Sequence, residues 1–237
     1  TDDGSATLFV PELNEHYHST KGARTESQHI FIDMGLKASP AATPRVLEIG
    51  FGTGLNAWLT LEEAERSRRN IHYIGLELYP LDWQTVEQLG YISSDEQLTI
   101  NRKQTTTDEQ FTPNEEKQQS AIELFKQLHT SPWEKDVQLT PHFTLRKIET
   151  DVNKWRVENS PFNLVYFDAF APEKQPEMWS QELFNRLYVL LDRDGILTTC
   201  CAKGVVRRML QTAGFTVERL PGPPGGKREI LRARKQE

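Results

Sequence analysis

The stretch Arg45-Val46-Leu47-Glu48-Ile49-Gly50-Phe51-Gly52-Thr53-Gly54 decides how this sequence is read. Its first five residues, mostly apolar, read as a short buried strand. Three glycines at alternate positions then let the backbone turn sharply and let a ligand approach with no Cβ in the way. Leu55, Trp58 and Leu59 follow at helical spacing. The pattern is G-x-G-x-G, with Leu55 where a dinucleotide fingerprint needs its last glycine, so a pyrophosphate site matches poorly. Glu48, two residues before Gly50, sets negative charge near the turn. A dinucleotide phosphate would oppose that charge; the cationic sulfonium and amino group of S-adenosylmethionine would tolerate it. The competing reading is a strand-to-helix turn without a ligand.

Working outward, Ile71 to Leu78, Phe143 to Ile148, Asn163 to Phe170 and Gly195 to Cys201 read as further strands. Helical patterns separate them, one carrying Phe184, Leu187 and Leu191, another Val205, Val206, Met209 and Leu210. This alternation predicts an α/β fold with a mostly parallel sheet covered on both faces. Phe215 to Leu220 and Glu229 to Arg234 are separated only by a Pro- and Gly-rich turn, too short for a parallel crossover, so they form an antiparallel hairpin. Residues 1–40 read as an N-terminal β extension with strands at Thr7 to Val10 and within Gln28 to Leu36. Residues 41–237 form the main domain, with a polar insertion at about 92–141 that holds a helix around Ile122, Phe125 and Leu128.

The 237 residues are 37% hydrophobic and 26% charged, enough for one large globular domain. No apolar run is long enough for a membrane helix, and the N-terminus lacks the pattern of a secretory signal. Cys200 and Cys201 are adjacent, which excludes a disulfide scaffold and a four-cysteine metal site. The cytoplasm is the expected location. The net charge of −6 argues against a general polyanion binder, yet residues 203–237 hold nine Lys or Arg against three Glu. That basic end is either a solvated face or a surface that meets a phosphate backbone locally.

Three more acids stand where strands end. Glu77 lies 23 residues after Gly54, where Rossmann-like domains place an acid on the ribose hydroxyls. Asp151 follows the third sheet strand and falls at the same edge, with Glu149 two residues away as a competitor. Asp168 closes NLVYFDAF; in a cleft it would hold a substrate amine, orient its lone pair and take up its proton. As a plain turn residue it would instead fix the Ala-Pro loop. Phe170 and Trp179 are candidates to flank a flat ring, although aromatics here also read as core. His16 and His18 read as loop hydrogen-bonders with no acidic cluster to complete a site, so no metal is expected.

These segments resemble the tRNA (5-methylaminomethyl-2-thiouridine) methyltransferases, stand-alone relatives of the methyltransferase half of a bifunctional enzyme that finishes a wobble uridine. The resemblance rests on TDDGSATLFVPELNEHYHSTKGARTESQHIF, LEIGFGTGLNA, IGLELYPL, VYFDAFAPEKQPEMWS, and GVVRRMLQTAGF with KREILRAR, in order along almost the whole chain. It implies the class I Rossmann-like fold with a seven-stranded, mostly parallel sheet ending in an antiparallel hairpin. It implies S-adenosyl-L-methionine as donor and the aminomethyl nitrogen on uridine C5 as acceptor. Gly50, Gly52 and Gly54 would line the methionine side, Glu77 the ribose, Asp151 the adenine and Asp168 the amine. Arg207, Arg208, Lys227 and Arg228 would touch tRNA phosphates, while Glu26 matches a family motif without an assigned role. The bifunctional relatives continue into a flavin-dependent oxidase; the sequence ends after its last sheet strand, so no FAD is expected and a separate enzyme would supply the aminomethyl group. Rival readings are methyl or aminopropyl transfer to a small amine, as in polyamine synthases, and a non-catalytic RNA-binding module.

Overall fold

The computed structural model of the protein describes residues 8–10, 15–16, 22–102, 115–156 and 161–236. In chain order the elements are β1 (Phe9–Val10), β2 (Glu15–His16), α1 (Ala23–Ser27), β3 (Arg45–Ile49), α2 (Leu55–Ser67), β4 (Ile71–Glu77) and α3 (Trp83–Glu87). There follow β5 (Gln97–Arg102), β6 (Glu115–Ser120), α4 (Ala121–Thr130), β7 (Val137–Thr140), β8 (Phe143–Glu149) and β9 (Phe162–Phe167). The chain closes with α5 (Gln181–Leu190), β10 (Leu191–Thr199), α6 (Gly204–Ala213), β11 (Thr216–Pro221) and β12 (Glu229–Arg234).

Eight strands form one sheet in the order β11-β12-β10-β9-β3-β4-β8-β7. The five central strands are parallel, and β12 runs antiparallel to both β10 and β11, as the short terminal turn required. Seven strands were expected; the eighth, β7, comes from the insertion and pairs antiparallel with β8 at the edge. Successive residues of each central strand enter opposite cores, as a two-residue period dictates. Val46, Tyr73, Leu164, Tyr166, Ile196 and Ile230 pack with α2 and α4. Their neighbours Leu47, Ile74, Val165, Phe167, Leu197 and Leu231 pack with α5 and α6. Burial on both faces explains why β3 and β9 read as mostly apolar runs.

The segment Gln28 to Leu36 corrects the sequence reading: it is not a strand. Helix α1 runs directly into a π-helical turn over Gln28–Asp33, followed by a 3-10 turn over Leu36–Ala38. A three-residue apolar run does not tell strand from buried helix, and no glycine or proline between Ala23 and Met34 interrupts the helix. The wider π turn buries Ile30, Phe31 and Ile32 in succession against α2 and the sheet. Of the predicted first strand, Phe9–Val10 pairs with Glu15–His16; Thr7, His18 and the rest of the loop through Lys21 lie outside the described residues. Leu191, read with a helix, is the first residue of β10.

The insertion forms a two-stranded ribbon, β5 and β6, and the amphipathic α4, whose Leu124, Phe125 and Leu128 are buried. Caps fix two of the shorter helices: Asp82 accepts from the Thr85 N–H, and Ser180 from the Leu183 N–H. Each is worth about 1 kcal/mol. Arg69 donates to the carbonyls of Leu36, Ser39 and Ala41, binding the linker before β3 to the end of α2.

Candidate active site

Strand order reverses between β3 and β9, and the crevice beyond the carboxyl ends of such strands is where open α/β sheets take ligands. A cleft of about 1370 Å³ occupies that place. Its lining includes Gly50 and Gly52 after β3, Glu77 ending β4, Asp151 after β8, Asp168 after β9 and Cys200 after β10. Thus the topology alone gathers residues spread over 150 positions of sequence along one sheet edge. Among the described residues of the insertion, none lines the cleft.

The glycine turn has the backbone its sequence demands. Gly50, Gly52 and Gly54 have φ of 89°, 50° and 71°, the left-handed region that side chains resist. A Cβ on Gly50 would stand 2.4 Å from the Asp168 carbonyl oxygen, so this glycine lets β3 and β9 close together at the site. Gly54 serves a different purpose from the one expected. It does not line the cleft, and its absent side chain makes room for His129 of α4, whose Nε2 would lie 2.6 Å from a Cβ there. His129 Nε2 sits 3.0 Å from the Thr53 carbonyl and so carries the proton. Burial, then the nearby Lys147, pushes its pKa down to about 4. The ring is therefore neutral, a fixed support behind the turn. Lys147 donates in turn to the His129 carbonyl.

Glu77 lines the cleft with its carboxylate held open by three backbone donors. Gly52 N–H reaches one oxygen at 2.8 Å, and the Leu78 and Tyr79 N–H groups reach the other at 2.9 Å. Asp151 is oriented by the Asn153 N–H at 2.9 Å and lies 3.6 Å from the Lys154 ammonium. Its competitor Glu149 is exposed and outside the cleft lining.

Glu48 departs from its expected role. It is fully buried beneath the cleft rather than facing it. Burial raises its pKa well above the usual carboxylate range, against the pull of hydrogen bonds from Tyr73 and Asn56. Burial thus favours its neutral form and works against the charge expected beside the turn. Asn56 is the residue that sequence reasoning missed. Its Nδ2 donates to Glu48 Oε1 at 2.9 Å and to Asp168 Oδ2 at 2.8 Å, using both amide hydrogens. The only hint in the sequence is a polar residue one position inside α2.

Asp168 lies on the cleft wall, half-buried. Burial pushes its pKa up to about 7, Asn56 pulls it down, Glu26 raises it and Lys227 lowers it. Glu26 comes from α1 and Lys227 from the loop between β11 and β12, and both line the cleft. Their charged atoms are 3.6 Å apart. Beside them the Cys200 thiol is pushed up to about 11 by burial, so it is neutral at physiological pH. A carboxyl group poised near neutrality, in a cleft beside a ligand turn, suits proton transfer.

The remaining expected residues divide. Phe170 lines the cleft, and its carbonyl accepts from the Trp179 indole at 2.8 Å. Trp179 touches the cleft but is only 6% exposed, packed edge-on against Phe167 and near Phe184. It pins the Phe170 loop rather than offering a free stacking face. Lys227 and Arg228 line the cleft, whereas Arg207 and Arg208 sit on α6 outside it. Much of the basic end is occupied internally. Arg232 and Arg234 pair with Glu218, Arg219 with Glu229, and Lys203 with Glu173. Lys235 donates to the Tyr188 and Leu191 carbonyls. Among the described residues, Arg207, Arg208 and Arg228 form no ion pair.

Comparison with known proteins agrees with this geometry. A family model described as S-adenosyl-L-methionine-dependent methyltransferase matches residues 112–236. The chain is 30% identical over 241 residues to the tRNA 5-methylaminomethyl-2-thiouridine biosynthesis bifunctional protein MnmC of Cupriavidus metallidurans, covering 99% of this chain and 33% of that protein. The protein of the same name from Magnetococcus marinus is 30% identical over 238 residues, covering 95% of this chain and 32% of that one. The chain therefore spans about a third of the length of these curated relatives. The crystal structure of MNMC2 from Aquifex aeolicus shares the fold, with a TM-score of 0.69 at 24% identity over 98% of this chain and 68% of that one.

Proposed function

We propose a specific reaction for this chain, which belongs to the S-adenosyl-L-methionine-dependent methyltransferase family: methylation of the 5-aminomethyl nitrogen of a wobble (2-thio)uridine in tRNA. The fold is the class I Rossmann-like fold of that family. The cleft fits the donor. Gly50 and Gly52 leave one wall open to backbone approach. Glu77 and Asp151 present carboxylates for hydroxyl and amino groups, between the apolar surfaces of Leu76 and Val152. When bound, the donor supplies an electrophilic sulfonium methyl group.

The residues of this chain then have defined tasks. Glu77, held by three N–H groups, receives the ribose hydroxyls, and Asp151 the adenine amino group. Asp168 takes the proton that an alkyl ammonium must lose before its nitrogen carries a lone pair. Asn56 fixes the Asp168 carboxylate through Oδ2 and leaves Oδ1 for the amine. Arg208 and Arg228, exposed and without carboxylate partners among the described residues, meet tRNA phosphates, with Arg207 beside them. A cytoplasmic site of action and a separate flavin-dependent or other aminomethyl-forming enzyme upstream belong to the same reading.

The observation that carries the proposal is Asp168, near neutrality on the wall of the donor cleft. The names of the curated relatives support tRNA as the acceptor. Incubation with labelled donor and tRNA that either bears or lacks the aminomethyl group tests it, with nucleoside analysis of the product. Label on 5-methylaminomethyl-uridine only, in the modified tRNA, is the expected result. Label on small amines with none on tRNA would refute it.

A further inference from the structure

The acceptor presents a difficulty that Asp168 alone does not resolve. An alkyl ammonium holds its proton to about pH 10. A carboxylate with a pKa of about 7 leaves that transfer roughly a thousandfold uphill. A second cation narrows the gap where it stands closer to the amine than to Asp168, because it then disfavours the protonated amine more than it lowers the Asp168 carboxyl group.

The terminal hairpin brings a cation to the cleft. Gly222 has no Cβ, and one there would stand 1.7 Å from the Lys227 carbonyl oxygen. Its N–H donates to the Arg228 carbonyl at 3.0 Å. The loop thereby folds back and carries Lys227 to the rim of the cleft, where its side chain stays 48% exposed. Glu26, 11% exposed, meets the Lys227 ammonium at 3.6 Å. The first helix and the last hairpin therefore meet beside Asp168, which senses both charges.

We propose that Lys227, anchored by Glu26, lowers the proton affinity of the acceptor ammonium and so lets Asp168 deprotonate it. The inference rests on the reaction proposed above. One N–H bond of the ammonium breaks, its proton goes to the Asp168 carboxylate, and the nitrogen keeps the electron pair that forms the bond to the methyl group. Lys227 stays ionised throughout.

The groups facing Lys227 are Glu26 from α1, Asp168 after β9 and the neutral thiol of Cys200 after β10. Arg228 and Glu229 share its own segment, and the Lys203–Glu173 pair and Cys201 lie further along the same cleft. Burial would push the Lys227 ammonium down; Cys200, Glu26 and Asp168 outweigh that and keep it charged.

The test is the pH profile of kcat on aminomethyl-bearing tRNA at saturating donor, for the wild type, Lys227→Gln and Lys227→Arg. The acidic limb belongs to the coupled amine–Asp168 pair. Lys227→Gln is expected to move it up by about one pH unit, lowering kcat about tenfold at pH 7 and recovering it at pH 9. Lys227→Arg is expected to keep the limb near its wild-type position. Unchanged donor affinity in both variants shows that the fold is intact. A raised KM for tRNA with an unmoved limb in Lys227→Gln would make Lys227 a phosphate contact and overturn the inference while leaving the reaction standing. Absence of transfer by the wild type itself would remove both.

Discussion

The two halves of the cleft are built on different principles. The half proposed for the donor, from the glycine turn through Glu77 to Asp151, is held largely by backbone hydrogen bonds near the strand ends. Glu77 alone takes three. The half proposed for the acceptor, Glu26, Asp168, Cys200 and Lys227, gathers ionisable side chains from four distant segments, and among them Asp168 is held near neutrality. A ligand of constant structure suits a rigid backbone cradle. A reacting amine whose charge must change needs a side chain whose own proton is negotiable, as that of Asp168 is.

The contrast is broken most completely at the point where the halves share backbone. Gly50→Ala forces a Cβ into the Asp168 carbonyl at a φ of 89°. Backbone strain alone costs roughly 1–3 kcal/mol. Donor affinity and transfer are expected to fall together, with a lower melting temperature in calorimetry. Retained donor binding would mean that the strand ends are looser than the structure has them.

Glu77→Ala strikes the donor half alone. Losing charge-assisted bonds worth about 1.5–3 kcal/mol should raise the donor Kd about 10- to 100-fold by titration calorimetry, with tRNA affinity unchanged. His129→Leu removes the support behind Thr53 and is expected to raise the donor KM several-fold at constant kcat, with His129→Gln partly restoring it. Equal effects of both His129 variants would make the histidine mere packing.

Asp168→Asn also reports through stability. The folded protein holds this proton to about pH 7, whereas the unfolded chain releases it near the ordinary aspartate value of 3.8. As pH rises between those values the unfolded state ionises first, so ionisation works against the fold. Asp168→Asn should therefore melt higher than the wild type at pH 8, with the margin shrinking towards pH 4. A margin independent of pH would contradict the shifted carboxyl group. The smallest effect belongs to Arg208→Gln and Arg228→Gln. Each is expected to reduce the salt dependence of tRNA binding by somewhat less than one counterion, about 0.7–0.9 in slope, with donor binding unaffected.

The same contrast governs what the sequence discloses. The glycine-turn side of the cleft is legible because a strand end, its glycines and its acid are neighbours in sequence, so spacing finds Gly50, Gly52, Glu77 and Asp151 as cleft-lining residues. Asp168 is legible for the same reason. Asn56 is not, because its task depends on Glu48 and Asp168 approaching it from separate strands. Glu48 misleads because its distance from Gly50 fixes its position but not its burial beneath the turn. His129 is hidden in a polar insertion whose relation to the turn is purely tertiary. Lys227 reads as one of nine basic residues until Gly222 folds its loop inward. The helical Gln28 to Leu36 segment escapes because its apolar run is too short to show a period.

The most direct measurement is single-turnover methyl transfer by the wild type and Asp168→Asn, each first saturated with donor and then mixed with aminomethyl-bearing tRNA. The account predicts equal donor affinity and a transfer rate reduced about 10²- to 10⁴-fold at pH 7 in the variant, the usual contribution of a positioned base. A variant that binds donor and transfers at the wild-type rate would show that Asp168 is not the group receiving the proton.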